Sequence, residues 1–410
     1  MDTYTIERLG RHGDGIAPGP VYVPRTLPGE TVSGTVEGDR IPAPRIVTPA
    51  AERVSPRCRH YKGCGGCHLM HADDAFVSGW KADVVRTALA AQGIEAGIRG
   101  VTTSPPNSRR RATLSGRRTK KGALVGFHGR ASGTITEIPD CHLLEPALID
   151  ALPALEAITE AGASRKGELD LAVTLSEAGV DLEVRGGKPL DPTLTVELTR
   201  LAGHHGLARL SWEGEVILTA RPPVQRLGAA QVVPPPGGFL QATAHGQAAL
   251  TDAVRQAVGG ARHVIDLFAG CGTFTLPLAE TAEIRAVEGE AAMLAALDRG
   301  WRHAQGLRRV TTETRDLFRR PLMADELKGY EAAVIDPPRA GAEAQTAELA
   351  AGGPPVIAAV SCNPATFARD ARLLVDAGYR IDWIEVVDQF RWSPHVELAA
   401  RLSRDHIAAR

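Results

Sequence analysis

Three groups of residues in this 410-residue chain combine side-chain types and spacings suited to chemistry. The first is Cys362, in Val360-Ser361-Cys362-Asn363-Pro364, where an apolar run ends and a helix is predicted to begin. Asn363 is a good N-cap and Pro364 suits the first helical position, so the thiol is expected at a strand-to-helix turn. Unpaired amides and the positive dipole end there favour thiolate over thiol, the form that attacks carbon. Position alone equally allows a small buried side chain. The second group is Cys58, Cys64 and Cys67, interleaved with Gly63, Gly65 and Gly66, with Cys141 far downstream. The glycines let the backbone turn tightly enough to converge the sulfurs. A four-cysteine set holds either a structural zinc or a [4Fe-4S] cluster, and ligand identity does not choose between them. The third group is acidic: Asp266, Glu288, Asp316 and Asp336 each close or follow a predicted strand, and Glu397 stands in His395-Val396-Glu397.

These groups need a scaffold, and from about Phe239 onward the chain supplies alternating strands and helices. Strands are predicted at His263 to Leu267, Arg285 to Glu288, Val310 to Thr314, Ala332 to Asp336 and Pro355 to Val360, with two more near Ile381 to Val387 and Val396 to Leu402. The pattern is that of an α/β, doubly wound, Rossmann-like sheet, which binds ligands beyond the carboxyl ends of its strands. The turn Asp266-Leu267-Phe268-Ala269-Gly270-Cys271-Gly272 follows the first strand. It lacks the third glycine of a dinucleotide fingerprint, so a nucleoside ligand is expected rather than a pyrophosphate. Glu288, 22 residues after Asp266, is placed to accept from ribose hydroxyls. Cys271 reads as a packing thiol. In a strand, His395 and Glu397 would share one face.

Ahead of this unit, residues 1–57 alternate apolar and polar positions between Gly and Pro turns and read as a small β-barrel. Residues 58–232 read as a central α+β unit, with a helix over Asp73 to Ala91, and Pro234-Pro235-Pro236-Gly237-Gly238 as the break before the last unit, 233–410. Between Arg109 and Arg130 there are eight Lys or Arg and no Asp or Glu, a pattern that predicts a phosphate-contacting surface including Arg109 and Arg111. The formal net charge of -1, with 43% apolar and 23% charged residues, excludes a disordered, fibrous or uniformly basic protein. The sequence offers neither the apolar core of a signal peptide nor a run of the ~18 apolar residues that spans a bilayer, so a cytoplasmic protein is expected. Six cysteines are too few for a disulfide scaffold in a chain of this size.

Leu9-Gly10-Arg11-His12-Gly13-Asp14-Gly15-Ile16-Ala17 with Val21-Tyr22-Val23-Pro24 resembles the TRAM domain, an OB-like RNA-binding module. The glycine turn and strand-end carboxylates resemble the class I methyltransferase fold, which implies S-adenosylmethionine. Adding Asp336-Pro337-Pro338-Arg339, Ser361-Cys362-Asn363-Pro364 and His395-Val396-Glu397, the whole chain closely resembles the RNA uracil-5 methyltransferase family. The four-cysteine pattern is similar to its iron-sulfur, 23S ribosomal RNA branch, and a transfer-RNA substrate is the alternative. The resemblance implies that Cys362 adds to C6 of uracil and that Glu397 removes the C5 proton. It implies cofactor contacts from Gln241, Asp266, Phe268, Gly270, Glu288, Asp316 and Asp336. It further implies RNA contacts from Asp336, Arg339, His395, Arg109 and Arg111, and a [4Fe-4S] cluster on Cys58, Cys64, Cys67 and Cys141. A monomer with an RNA partner and no membrane follows. Thr243, Met70 and Arg391-Trp392-Ser393-Pro394 depart from the family pattern. Two other readings are a radical methylthiotransferase, disfavoured because the gap from Cys58 to Cys64 is too long, and a non-catalytic RNA-binding factor.

Overall fold

The computed structural model describes residues 2–405, so the last five positions of the predicted 233–410 unit lie outside the described residues. An eight-stranded sheet forms the frame. Its order is Val310–Thr314, Glu283–Glu288, His263–Leu267, Ala332–Ile335, Val356–Ser361, Leu398–Ser403, Arg380–Asp388 and Ile98–Thr103. Strands from Val310–Thr314 through Val356–Ser361 are mutually parallel, and Leu398–Ser403 is antiparallel to both its neighbours. Runs such as Ala332–Ile335 are buried at every residue, as expected of strands covered by helices on both faces. Val264, Val334, Ala358 and Val360 belong to the core on one side, and Ile265, Ala333, Ile335 and Ile357 to the core on the other.

The eighth strand is a correction to the sequence-based division. Ile98–Thr103, assigned by sequence to the 58–232 unit, pairs in parallel with Arg380–Asp388. The preceding helix, Asp74–Ala90, goes with it: Val85 and Leu89 join the same core as Ile384 and Val386. Nothing in a local hydrophobic pattern says which distant sheet a strand will join. That helix starts as predicted, with Asp73 accepting from the Phe76 N–H.

A second, seven-stranded sheet runs from Ile135–Glu137 to Glu215–Thr219 and is covered by the helices Leu152–Gly162 and Pro192–His204. Trp212 anchors it, fully buried, and a Cβ added at Gly162 would fall 2.0 Å from its ring, so only glycine lets the helix approach this closely. Residues 3–48 form two three-stranded antiparallel sheets around Ile6, Ala17, Val23, Val32 and Ile41. Among the described residues no helix is long and apolar enough to cross a membrane.

Candidate active site

The site lies at the carboxyl ends of the central parallel strands. Val356–Ser361 delivers Cys362 at its end, and the helix Pro364–Asp376 follows with Asn363 as its cap, Oδ1 accepting from the Ala365 N–H at 3.2 Å. Asn363 Nδ2 donates to the Arg339 carbonyl at 2.8 Å, and Asp370 accepts from the Ala342 N–H at 2.8 Å, so the Asp336–Arg339 loop is fastened to the same helix. Register brings in the third participant. Ser361 stands opposite Leu398 on antiparallel strands, so Cys362 and Glu397, each one residue farther, face each other at the sheet edge. The strand starts at Leu398, not at Val396 as predicted, and His395 is exposed whereas Glu397 is 3% exposed. They therefore do not share a face: the chain turns over Arg391 to Pro394, and His395 to Glu397 run in irregular backbone before the sheet begins.

The electrostatics follow from three carboxyl groups drawn together under cover. Glu397 is pushed up to about 7 by burial, opposed by a hydrogen bond that Gln389 Nε2 donates to its carboxylate. Asp336 is held well above the ordinary range by burial, then by the negative charges of Glu397 and Asp266. Cys362 is pushed up to about 11 by burial and then by Glu397 and Asp336, with Arg339 opposing. This corrects the expectation of a resting thiolate. The helix start is present, but desolvation and two acidic neighbours outweigh its dipole, and at rest Cys362 is a thiol.

Gln389 links this trio to Gln241 and Thr243. The same Nε2 donates to Gln241 Oε1 at 2.5 Å, and Gln389 Oε1 accepts from the Thr243 N–H at 3.4 Å. Thr243 caps the helix Ala244–Val258 through a 2.8 Å bond from the Gly246 N–H, the role of a good cap former. At the glycine turn, Phe268 and Gly270 have φ of 63° and 55°, and a Cβ at Gly270 would meet only Met293 Cε at 3.7 Å. The turn surface is thus open. Glu288 accepts from the Gly270 and Glu290 N–H groups at 3.0 and 2.9 Å, and Asp316 from those of Phe318 and Arg319 at 3.0 and 3.2 Å. Phe318, 49% exposed, sets its ring 5.4 Å from that of Phe268. An open turn, strand-end carboxylates and an exposed ring fit a nucleoside ligand. Asp266 is fully buried, accepts from Thr275 Oγ1 at 2.5 Å, and is pushed up to about 7 by burial. Cys271 is buried, as a packing thiol should be.

The residues expected to contact RNA divide. Arg339 is exposed and lies 3.1 Å from His395 Nδ1, and both line a groove of about 1120 Å³ that also opens on Cys362 and on Arg8, Arg11 and Trp80. Burial and the nearby positive charges, Arg339 first, lower His395 to about 4. Arg109 and Arg111 face protein instead: Arg109 lies 6.0 Å over the Phe390 ring, and Arg111 donates to the Leu240 carbonyl at 2.8 Å. Between them Arg110 is buried and donates to the Gln241 carbonyl at 3.1 Å. This arginine run holds the Phe239–Thr243 segment in place.

Cys58, Cys64, Cys67 and Cys141 line one cavity, walled by Tyr61, Met70, Phe127, Ile138 and Leu143. The N–H groups of Gly66 and Leu143 donate to Cys64 and Cys141 Sγ at 3.4 Å each. A Cβ at Gly65 would sit 2.6 Å from the His128 carbonyl oxygen. The four cysteines line the same cavity, and among the described residues no group of three or more His, Cys, Asp or Glu is arranged to hold a metal ion. Met70 is one of the apolar walls.

Two features escaped the sequence reading. Gln389 follows an acidic residue at a strand end, and an amide there signals a buried carboxylate nearby only once Glu397 is known to be opposite. Lys81, fully buried, lies on the apolar stripe Val77, Lys81, Val85 and donates to Asp388 at 2.5 Å and to the Phe390 carbonyl at 3.1 Å. A lysine at i+4 within an apolar stripe was the available signal.

Comparison with known proteins places these features in a family context. A family model described as tRNA (Uracil-5-)-methyltransferase matches residues 302–405. An uncharacterized RNA methyltransferase of Brucella suis is 44% identical over 98% of this chain and 97% of its own length. The 23S rRNA (uracil(1939)-C(5))-methyltransferase RlmD of Halomonas elongata is 34% identical, covering 99% of this chain and 90% of that protein. Among solved structures, the tRNA (uracil-54, C5)-methyltransferase of Pyrococcus abyssi, in complex with S-adenosyl-L-homocysteine, superposes with a TM-score of 0.76 at 23% identity, over 98% of this chain and 99% of that one.

Proposed function

The chain belongs to the RNA uracil-5 methyltransferase family, and on that premise we propose that it transfers a methyl group from S-adenosylmethionine to C5 of a uridine in 23S ribosomal RNA. The observation that carries this reading is the opposition of Cys362 and Glu397 across the Ser361/Leu398 register, beside Asp336. A uracil seated there meets a nucleophile and a base delivered by two paired strands.

S-adenosylmethionine, when bound at the glycine turn, supplies an electrophilic methyl group. Gln241, Asp266, Phe268, Gly270, Glu288 and Asp316 are the residues that would hold it. The chain's own residues account for the rest. Cys362 gives its proton to water in the open groove as its sulfur bonds to C6, and the ring gains an electron pair at C5. Asp336, whose burial favours the protonated form, can in that form donate to a uracil carbonyl through O–H and accept from N3–H through its other oxygen, steadying the charge that builds on the ring. After methylation Glu397, as a carboxylate, takes the C5 proton, and that electron pair restores the C5–C6 bond and expels the Cys362 thiolate. Arg339 and His395 line the groove through which an unpaired or extruded nucleotide would enter.

For the cysteine cavity the proposed occupant is a [4Fe-4S] cluster with a structural role, held by Cys58, Cys64, Cys67 and Cys141. Apolar walls and N–H groups aimed at sulfur suit such a cluster. Purified protein is then expected to contain iron and acid-labile sulfide; stoichiometric zinc in anaerobic preparations would displace this assignment. The barrel-like N-terminal residues are read as a TRAM-type contact to RNA, and the enzyme as a cytoplasmic monomer. A transfer RNA is the second substrate candidate, favoured by the description of the matching family model. Mapping 5-methyluridine in both RNA classes from cells with and without the gene decides between them. Loss of the mark from 23S ribosomal RNA is expected, and unchanged marks in both classes would refute the function.

A further inference from the structure

The loop that carries Glu397 is fastened to the cysteine cavity, and the loop that carries Cys362 is not. The backbone N–H groups of His68 and Leu69, immediately after Cys67, both donate to the Trp392 carbonyl, at 2.7 and 2.9 Å. The Trp392 side chain, 5% exposed, packs with Tyr61, Met70 and Leu143 against Cys58, Cys67 and Cys141. Its φ of 57° is a left-handed conformation that a bulky residue adopts only where its surroundings enforce it. Around this point Arg109 covers Phe390, Lys81 donates to the Phe390 carbonyl, and Arg391 donates to the Ser104 carbonyl at 3.0 Å. Cys362, in contrast, is held by the Val356–Ser361 strand and by Asn363 and Thr366 on the Arg339 carbonyl.

From this asymmetry we propose that Trp392 is a positioning residue that splints the Gln389–Val396 loop to the four-cysteine module. The state of that module then sets the placement of Glu397 and His395 and leaves the nucleophile where it is. The inference rests on Glu397 being the base. It concerns Arg391-Trp392-Ser393-Pro394, and it gives the cysteine module a task in catalysis without placing it in contact with substrate.

Two measurements test it. With uridine-containing RNA and S-adenosylmethionine, Trp392→Ala should still attack C6 and become methylated, but proton removal should slow by about 10²-fold, the effect of displacing a catalytic group by ~1 Å. The methylated RNA–Cys362 adduct then accumulates, and Trp392→Phe restores resolution. A uniform loss of adduct formation and resolution would overturn the proposal. Backbone hydrogen exchange on wild-type protein, as purified and after its metal is removed, supplies the arm that needs neither turnover nor a folded variant. Protection should fall in the Gln389–Val396 loop and persist over Asn363 to Ala371. Equal loss in both segments, or in neither, would overturn the splint. Absence of 5-methyluridine from wild-type reactions would instead refute the functional reading, leaving the exchange result to judge the coupling.

Discussion

Replacing Glu397 by glutamine should make the protein more stable at alkaline pH while stopping it from releasing product. The magnitude follows from linkage. Glu397 is raised from 4.5 to about 7 in the folded state, so the native protein holds this proton more tightly than the unfolded chain does. Its stabilising contribution is complete below the unfolded value, declines as pH rises through the interval, and above about 7 the native state bears the full cost of a buried carboxylate. A shift of this size, at 1.36 kcal/mol per unit, is worth roughly 3 kcal/mol. Glutamine cannot ionise and can still accept from Gln389. The stability difference between variant and wild type should therefore be small near pH ~4.5 and grow to about 3 kcal/mol in the variant's favour by pH ~8. Removing the negative charge also lowers Asp336, one of whose causes is Glu397, and this adds in the same direction. Urea denaturation of the two proteins across that pH range reads the difference directly. A gap that does not change with pH, or a variant that loses stability on the alkaline side, would refute the claim that this carboxyl group is buried at an energetic cost.

Three further outcomes follow from the same geometry. Resolution of the methylated adduct in wild type should rise tenfold per pH unit up to about 7 and then level, because only ionised Glu397 accepts the proton; Gln389→Leu, which deletes a charge-assisted bond of ~1.5–3 kcal/mol, should move that limb upward by about one to two units, and an unmoved limb would separate Gln389 from the base. Lys81→Met should destabilise the fold by about 3–5 kcal/mol, because it strands the buried Asp388, and adding Asp388→Leu should recover much of the loss; equal loss in the single and double variants would mean that the pair is not the cause.

The catalytic sheet was largely legible in the sequence because buried parallel strands write themselves as short β-branched runs. Each predicted strand from His263 to Val360 has its counterpart in the structure within two residues at either end. Asn363 and Gly378 delimit the helix after Cys362 as their types require, with Gly378 at φ 89°. What the sequence concealed was the consequence of long-range register. The acidity of Cys362 is set first by burial and then by Glu397 and Asp336, which reach it from the ends of other strands, and local helix-start reasoning therefore pointed the wrong way. The same limit hid the attachment of Ile98–Thr103 to the catalytic sheet and the inward engagement of Arg109 and Arg111. Charge runs report composition; which face of a strand meets protein and which meets solvent depends on partners the run does not name.

The central claim is that Cys362 bonds to the ring while Glu397 waits for the C5 proton. Substrate RNA carrying 5-fluorouridine puts fluorine where that proton would be, so the methylated ring cannot shed it and the enzyme cannot let go. Incubation with S-adenosylmethionine followed by peptide mass spectrometry should find methylated fluorouridine linked to the peptide containing Cys362, and Cys362→Ala should form none. A linkage at any other residue, or 5-methyluridine made by Cys362→Ala, would contradict the account.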